Sequence, residues 1–443
     1  MLVQKMKGWK CLLAGCAALF ALVFVSSCVK EEGDALYKDY DSVMIMVSAG
    51  RNSLSSNLYW DLEDLKGGYV PNWDDHKALV IISHLLTSSG LYADETELYV
   101  SRVIRGRSGH VYADTLKRYP THTLLTKQSD FEEILRYVAA EFPSKHYGMV
   151  YSSHGWGYLP KGYYNHRNDV ENANSGSGAS YAPSLTGLRA SSSGAFPFVP
   201  DVEPGEMPRT KSVGQEVLLD NGNMMSYEMD VDEFAASLPF HLDYLIMDAC
   251  LMGSVETAWA FRGKTDLYVG SQAEIVSDGL DYANLSSRLL EGSTPDVEGV
   301  CRDYYAMYKD RTGWMKTATV SLVDTRAMDG LAAVCRELFS KYRTAILGLS
   351  IQQVQRYYTG NHPWFFDLKD ILIQAGAEEA ELARLQAALD ACILYKATTP
   401  RILDGYDVKV FSGLSMYLPS VPGEYLRSFY RGLGWNQASG LVE

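Results

Sequence analysis

The sequence predicts an α/β fold in which helices cover a mostly parallel sheet, followed by a largely helical C-terminal part. Short and nearly unbroken apolar runs recur along the first 270 residues. Segments with helical spacing of apolar residues alternate with them, and from Ala327 onward the helical pattern dominates. Continuous apolar runs are typical of strands buried on both faces, and their alternation with helices indicates parallel pairing.

The strand candidates are short apolar runs that end at Gly or polar residues. They are residues 42–47, 78–86, 98–104, 147–152 and 242–247. Two helices are indicated between them. Residues 57–66 place Leu58, Leu62 and Leu65 near helical spacing, and residues 130–140 carry an apolar stripe that begins at Phe131. Each helix would cover one face of the sheet.

Two further regions complete the predicted organisation. Residues 156–227 are rich in Gly, Ser, Asn and Pro, which is typical of a long loop or flexible insert. Helices are expected at 331–347, 367–375 and 378–395, and a strand pair around 408–418 is expected to return to the sheet. We therefore predict one main domain over 41–325, with 326–443 completing or flanking it.

Composition excludes several classes of protein. The 443 residues include 40 Lys+Arg and 54 Asp+Glu, a formal net charge of −14, and 47% are hydrophobic. A nucleic-acid partner is not expected, because binding phosphates requires a basic face. Seven cysteines are too few and too scattered for a disulfide scaffold.

The N-terminus resembles a lipoprotein signal peptide. Three lysines precede an apolar run over 11–25, which at 15 residues is shorter than the roughly 20 needed to cross a bilayer. The sequence VSSC over 25–28 resembles a lipobox, so we expect cleavage after residue 27, lipidation of Cys28 and a tether over 28–40. A short uncleaved anchor, or an ordinary signal peptide with a chance cysteine, remains the alternative. Lipidation predicts a membrane-anchored protein of the cell envelope, in the outer membrane and exposed at the surface.

Reactive residues follow two of the predicted strands. His154 comes directly after the strand at 147–152 with Gly155 behind it, and Cys250 follows the strand at 242–247. Because α/β folds place active sites at the carboxyl ends of parallel strands, the two residues are candidates for a nucleophilic Cys–His pair. A helix after Cys250 would favour the thiolate. The alternatives are a structural histidine and a cysteine that packs as a small apolar side chain.

The segments around these residues resemble a known family. YGMVYSSHG over 147–155 and DYLIMDACLM over 243–252 resemble the His-Gly and Asp-Ala-Cys blocks of the clostripain family of cysteine peptidases, in the caspase-like clan. The resemblance covers about residues 40–285, and the C-terminal third matches only loosely. It implies a caspase-like three-layer α/β/α sandwich and an endopeptidase acting on peptides or proteins.

The resemblance also implies residue roles. Cys250 would be the nucleophile, His154 the general base, and backbone N–H groups near Gly155 and Cys250 the oxyanion site. Family members cleave after Arg or Lys, and Asp248 and Asp278 match the carboxylates of the S1 pocket. The segment around Asp278 departs from the family pattern, and Asp248 could instead cap the following helix.

The resemblance further implies self-cleavage within the insert. Arg189, Arg209 and Lys211 are its basic residues with Gly, Ser or Pro neighbours, and are the candidate sites. No cofactor or metal site is required by the sequence, and a Ca²⁺ requirement is left open by the resemblance. Two non-enzymatic alternatives remain: a surface lipoprotein that uses the same scaffold for binding with an idle dyad, and a glycan-binding module suggested by 30 Tyr and 8 Trp.

Overall fold

A computed structural model describes residues 39–86, 98–120, 122–163, 214–220, 223–358 and 364–443, with backbone only at 218–220 and 223–225. Residues 39–443 form one compact unit. The predicted signal peptide and Cys28 lie outside the described residues. None of the helices in the described ranges is both long enough and apolar enough to cross a membrane.

The main sheet has nine strands in the order β12-β10-β9-β8-β5-β1-β2-β3-β4. Its strands are β1 (Ser42–Gly50), β2 (Lys77–Leu85), β3 (Tyr99–Arg105), β4 (Val111–Arg118), β5 (Tyr147–Ser152), β8 (Leu242–Asp248), β9 (Thr265–Gly270), β10 (Thr319–Asp324) and β12 (Ile393–Thr398). The five central strands, from β9 to β2, are parallel, and each edge carries two antiparallel strands.

Helices form two groups that pack within themselves. The helices are α1 (Ser55–Gly67), α2 (Gln128–Glu141), α3 (Val231–Ser237), α4 (Val255–Ala260), α5 (Tyr282–Ser286), α6 (Val297–Lys309), α7 (Met328–Leu347), α8 (Leu368–Gln374), α9 (Glu379–Cys392), α10 (Glu424–Gly432) and α11 (Gly434–Ser439), with a π-helix at Ser287–Glu291. In one group α1 contacts α5, which contacts α6, while the other joins α2, α3 and α4 to α11, α7 and α9. The predicted three-layer α/β/α arrangement is confirmed.

The central strands confirm the reasoning from apolar runs. β1 and β2 are buried from their second residue to their last, as expected of strands covered on both faces. β4 is missing from the prediction because its sequence, VYADTLKR, is polar and its middle residues are exposed. Charged side chains on an exposed edge strand prevent pairing with another strand. The polar sequence of β4 therefore protects the sheet edge, and it is also the reason why β4 does not resemble a buried strand.

Two predictions for the C-terminal part are wrong. The helix expected over 378–395 ends at Cys392, and Ile393 begins β12, which pairs antiparallel with β10. The pair expected around 408–418 does not return to the main sheet. Instead β13 (Arg401–Ile402) pairs with β14 (Tyr406–Asp407), and β11 (Phe366–Asp367) pairs with β15 (Ser415–Met416).

Side chains explain why the 408–418 segment forms no longer strand. The Gln355 amide oxygen accepts the backbone N–H groups of Lys409 and Val410 at 2.7 and 3.3 Å. The Asp367 carboxylate accepts the N–H of Ser412 at 2.7 Å. Because these donors already have side-chain partners, they are not available to a neighbouring strand.

The ends of the predicted insert are ordered. Tyr158 and Tyr163 are buried, and β6 (Glu216–Asp220) forms a hairpin with β7 (Asn223–Tyr227). Glu216 is fully buried and accepts the Thr126 N–H and hydroxyl at 2.7 and 2.6 Å, and it also bonds the His84 imidazole. The hairpin is therefore anchored to the sheet by one buried carboxylate.

A second buried carboxylate makes stability depend on pH. Glu256, on α4, accepts the Tyr417 N–H and the Tyr430 hydroxyl at 2.9 and 2.8 Å. Burial raises the pKa of Glu256 from 4.5 to about 7, so the folded chain holds this proton where the unfolded chain has lost it. The group therefore contributes stability below about pH 4.5 that disappears as the pH rises through about 7.

We expect Glu256→Gln to remove this dependence, because the amide oxygen keeps both acceptor bonds without a charge. The free energy of unfolding of the variant minus that of the wild type should rise by up to roughly 3 kcal/mol between pH 5 and pH 8. Urea unfolding at several pH values measures it. A difference that does not change with pH would contradict the assignment.

Candidate active site

The two predicted reactive residues leave neighbouring parallel strands at the same edge. β5 pairs with β8 in a register that sets Ser152 opposite Asp248. His154 and Cys250 each follow two residues later, so the sheet brings both to one loop cluster. His154 is 6% exposed and Cys250 is 1% exposed.

Gly155 lies directly against the Cys250 backbone. A Cβ atom at residue 155 would fall 2.2 Å from the Cys250 carbonyl oxygen and 2.9 Å from its nitrogen. Every other residue type carries that atom, so glycine is needed here for the His154 loop to approach the Cys250 loop. This close approach is the geometric link between the two strand ends.

A loop after β1 holds the His154 ring. The Ser53 hydroxyl lies 3.0 Å from His154 Nε2. Asn52 fixes that loop, because its side chain donates to the carbonyls of Ala49 and Gln215 at 3.1 and 2.6 Å and accepts the N–H of Leu54 at 2.8 Å. Sequence analysis missed Ser53, since a serine in a loop after a strand carries no distinguishing signal.

The Cys250 thiol contacts a neighbouring loop. The Ile275 N–H donates to Sγ at 3.1 Å, and the thiol lies 3.5 Å from the Ile275 carbonyl oxygen. The sequence predicts that a helix directly after Cys250 favours the thiolate. In the structure α4 begins only at Val255 and has six residues, so this helix is not the main feature near the sulfur. A backbone N–H aimed at sulfur favours the thiolate form by direct hydrogen bonding.

Asp248 is fully buried beneath the loops. Its Oδ2 accepts the hydroxyls of Ser152 and Tyr282 at 2.7 and 2.6 Å. It does not cap the following helix, since Ser254 accepts the Thr257 N–H there. The capping alternative is therefore wrong. Asp248 lies two residues before Cys250 in the sequence, and in space it contacts the Tyr282 hydroxyl.

Next to Tyr282 lies an acidic cavity of about 310 Å³. Asp61, Asp64, Asp278 and Asp281 line it together with Trp60, which is 59% exposed. Burial raises the pKa of the Tyr308 phenol well above its usual range, and the charges of Tyr304, Asp278, Asp248 and Asp61 raise it further. Carboxylates from two chain segments, residues 61–64 and 278–281, therefore line this cavity.

Asp61 is the cavity residue that sequence analysis did not assign. It is 7% exposed and lies on the buried face of α1 with Leu58, Leu62 and Leu65. Because burying a carboxylate is costly, the position of Asp61 in an apolar stripe was a sign in the sequence that this residue has a specific role. The described residues contain no group of three or more His, Cys, Asp or Glu side chains positioned to hold a metal ion.

Comparison with known proteins finds one family match. A family model described as Peptidase_C11, the clostripain family, matches residues 208–408. This chain is therefore similar to the clostripain family over those residues. Among curated proteins, none matches the chain.

Solved structures of other proteins share the fold of this chain. An inactive zymogen C11 protease from Parabacteroides distasonis has a TM-score of 0.68 at 22% identity and covers 92% of this chain and 99% of its own. A secreted C11 cysteine protease from Bacteroides thetaiotaomicron, in complex with an irreversible peptide inhibitor, has a TM-score of 0.68 at 19% identity, over 90% and 99%. A structure of a secreted C11 protease from the same organism, called iotapain, gives 0.67 at 21% identity, over 90% and 99%.

The match contains Cys250, Asp248 and Asp278 but begins after His154. It also continues to residue 408, well beyond residue 285, where the sequence resemblance becomes loose. The part that follows residue 325 adds β12 to the main sheet and α7, α9 and α11 to one helical group. The family match therefore includes much of the C-terminal part.

The three other cysteines in the described part of the chain are buried. Cys301 on α6, Cys335 on α7 and Cys392 at the end of α9 are buried, and none forms a disulfide. Burial raises the pKa of all three, that of Cys392 to about 12. Of the predicted site residues, Cys28, Arg189, Arg209 and Lys211 lie outside the described residues.

Proposed function

We propose that this chain is a cysteine peptidase of the clostripain family, an exported, lipid-anchored endopeptidase that cleaves after Arg or Lys with a Cys250–His154 dyad. The observation that carries the proposal is the packing of Gly155 on the Cys250 backbone, which joins the two strand ends. The Ser53 contact supports it by restricting the orientation of the His154 ring.

Each step of the proposed peptide hydrolysis has a residue that can carry it out. His154 takes the proton from Cys250 Sγ, and the thiolate attacks the carbonyl carbon of the scissile bond. Backbone N–H groups near Gly155 and Cys250 would bind the oxyanion. His154 then gives the proton to the leaving amine as the C–N bond breaks, and water hydrolyses the resulting thioester. The proposal includes no cofactor, and dialysis against EDTA tests the Ca²⁺ requirement left open by the resemblance.

The acidic cavity supports a basic P1 residue. Asp278 and Asp61 line it, and Asp248 lies behind Tyr282. A guanidinium can bind carboxylates through two parallel hydrogen bonds and stack on an exposed indole such as Trp60, while an ammonium acts as a single charge. We therefore expect Arg to be preferred modestly over Lys.

Export and anchoring rest on the N-terminal sequence. The lipobox ending at Cys28 supports lipidation and a place in the cell envelope, in the outer membrane and at the surface. The relative from Bacteroides thetaiotaomicron is described as secreted, which supports export. Labelling with a radioactive fatty acid, with Cys28→Ala as control, tests the anchor.

The competing proposal is a binding protein with an idle dyad. An arginyl or lysyl peptide that carries a thiol-reactive electrophile separates the two. A working dyad should be labelled at Cys250, and labelling should be lost in His154→Ala although the thiol remains. No labelling in the wild type, or equal labelling in both, would favour the idle scaffold.

We predict that the chain processes itself. The near-complete burial of His154 and Cys250 supports a starting form with restricted access, and one similar structure is described as an inactive zymogen. Purified wild type should yield two fragments cut at Arg189, Arg209 or Lys211, whereas Cys250→Ala should stay intact. Electrophoresis and N-terminal sequencing measure this. A wild type that is fully active as one chain would contradict the prediction.

A further inference from the structure

A second cavity, of about 650 Å³, lies in the C-terminal part. It is lined by the segment after α7, by α8, and by β14 with the segment that follows it. We call it the Arg356 cavity, after one of the residues that line it. Backbone bonds hold its wall in place, since Tyr357 donates to the Phe365 carbonyl at 3.0 Å and Asp367 to the Gln355 carbonyl at 2.9 Å.

The charges available in the Arg356 cavity are positive. The Arg356 guanidinium lies over the rings of Tyr358 and Tyr406, 5.3 and 5.7 Å from their centroids. Arg356 and the exposed Lys409 form no ion pair with any carboxylate in the part of the chain that the structure describes. This is unusual for a protein with a net charge of −14.

The two acidic residues of the cavity are already engaged. Asp407 forms an ion pair with Arg401 at 3.0 Å. Asp370 is 3% exposed and accepts the Gln355 N–H and the Gln374 amide at 2.6 and 3.0 Å. Both carboxylates of the lining therefore have other partners, while Arg356 and Lys409 do not, so an anionic group would be attracted here.

Tyr406 connects the Arg356 cavity to the catalytic centre. Its ring lines the cavity and is 6% exposed, and its hydroxyl has no hydrogen-bond partner among the described residues. Burial raises the pKa of Tyr406 well above its usual range, and the negative charges of Glu274 and Cys250 contribute to the rise. Glu274 precedes Ile275, whose N–H donates to the Cys250 thiol. Hydrogen bonds link the two segments: Ala273 accepts the Leu251 N–H and donates to the Thr319 hydroxyl, both at 3.0 Å, and the Thr317 hydroxyl accepts the N–H of Leu403, three residues before Tyr406, at 3.2 Å.

We propose that the Arg356 cavity binds a carboxylate side chain of the peptide substrate, at a position away from the residue in the acidic cavity. The inference rests on the proposed peptidase function and adds a second determinant of its specificity. Arg356 would form the ion pair, and the buried Tyr406 hydroxyl is the neutral donor beside it. Two subsites of opposite charge would fix both the register and the direction of a bound peptide.

The test uses quenched fluorescent peptides with Arg fixed at P1. Glu is compared with Gln at each position from P4 to P2 and from P1′ to P3′. At one position the wild type should prefer Glu by about tenfold or more in kcat/KM, the gain expected of one charge-assisted pair. Arg356→Gln should abolish the ratio, Arg356→Glu should invert it, and Arg356→Lys should keep part of it.

Arg136→Glu is the matched control, because Arg136 is also an exposed arginine but lies on α2 and pairs with Glu132. It should leave the Glu/Gln ratio unchanged. Equal cleavage of Glu and Gln peptides at every position would overturn the inference while leaving cleavage after Arg intact, and so would a preference that survives Arg356→Glu. Absence of cleavage of any Arg or Lys peptide would instead overturn the proposed function, and the inference with it.

Discussion

Replacing Cys250 with alanine is expected to lower peptide hydrolysis by roughly four or more orders of magnitude, because the substitution removes the sulfur that would form the thioester. The fold should tolerate the change. The thiol contacts the Ile275 backbone, which stays in place when the sulfur is removed. Initial rates with a fluorogenic Arg substrate measure the loss, and circular dichroism confirms folding.

The chain offers three matched controls. Cys301→Ala, Cys335→Ala and Cys392→Ala remove the same atom from other buried sites, at a cost of about 1 kcal/mol or more in stability. Each should keep its kcat/KM within a fewfold of the wild type below its melting temperature. If Cys250→Ala keeps its turnover, or if one of the controls loses it, Cys250 is not the nucleophile.

The second large effect concerns the residue before the scissile bond. Neutral P1 residues should be cleaved at least about a hundredfold more slowly than Arg, because carboxylates buried without a cation cost roughly 2–5 kcal/mol per lost pair. Asp248→Asn and Asp278→Asn should each remove most of the Arg and Lys activity. In both variants Cys250 should still react with an uncharged thiol reagent.

Replacing Asp61 tests whether the P1 side chain binds in the whole acidic cavity or only to Asp248 and Asp278. If the cavity beside Tyr282 takes the P1 side chain, Asp61→Asn should also lower kcat/KM for Arg, by about tenfold or more. Asp329→Asn is the control, since Asp329 is 70% exposed and lies on α7. A wild type that prefers an apolar or acidic P1 residue would refute the pocket assignment and leave the thiol assignment standing.

The sequence predicts the central sheet well because burial on both faces requires unbroken apolar runs. β1, β2, β5 and β8 satisfy that rule, and the two reactive residues were found because they follow such strands. Pattern analysis misses β4, whose exposed face looks like a loop. It also extends a helix through Ile393, because a short apolar run fits a helix and a strand equally well.

The site was predictable only where a residue type carries its own chemistry. A cysteine and a histidine after strands are conspicuous, while Ser53 and Ile275 act through an ordinary hydroxyl and a backbone N–H. Arg356 was not predictable, because its significance depends on which carboxylates lie nearby in space. A sequence pattern does not show which charged residues from distant segments lie close together in the fold.

The pairing of β5 with β8 across the insert has a practical consequence. Residues 39–163 contribute five strands of the main sheet and residues 214–443 contribute four, and the two sets meet along this one ladder. Glu216 adds a buried tie, since it belongs to the second set and bonds His84 and Thr126 of the first. The chain is therefore suited to a split reporter: two separately expressed halves, each holding one residue of the proposed dyad, are expected to be inactive alone and to regain turnover on association.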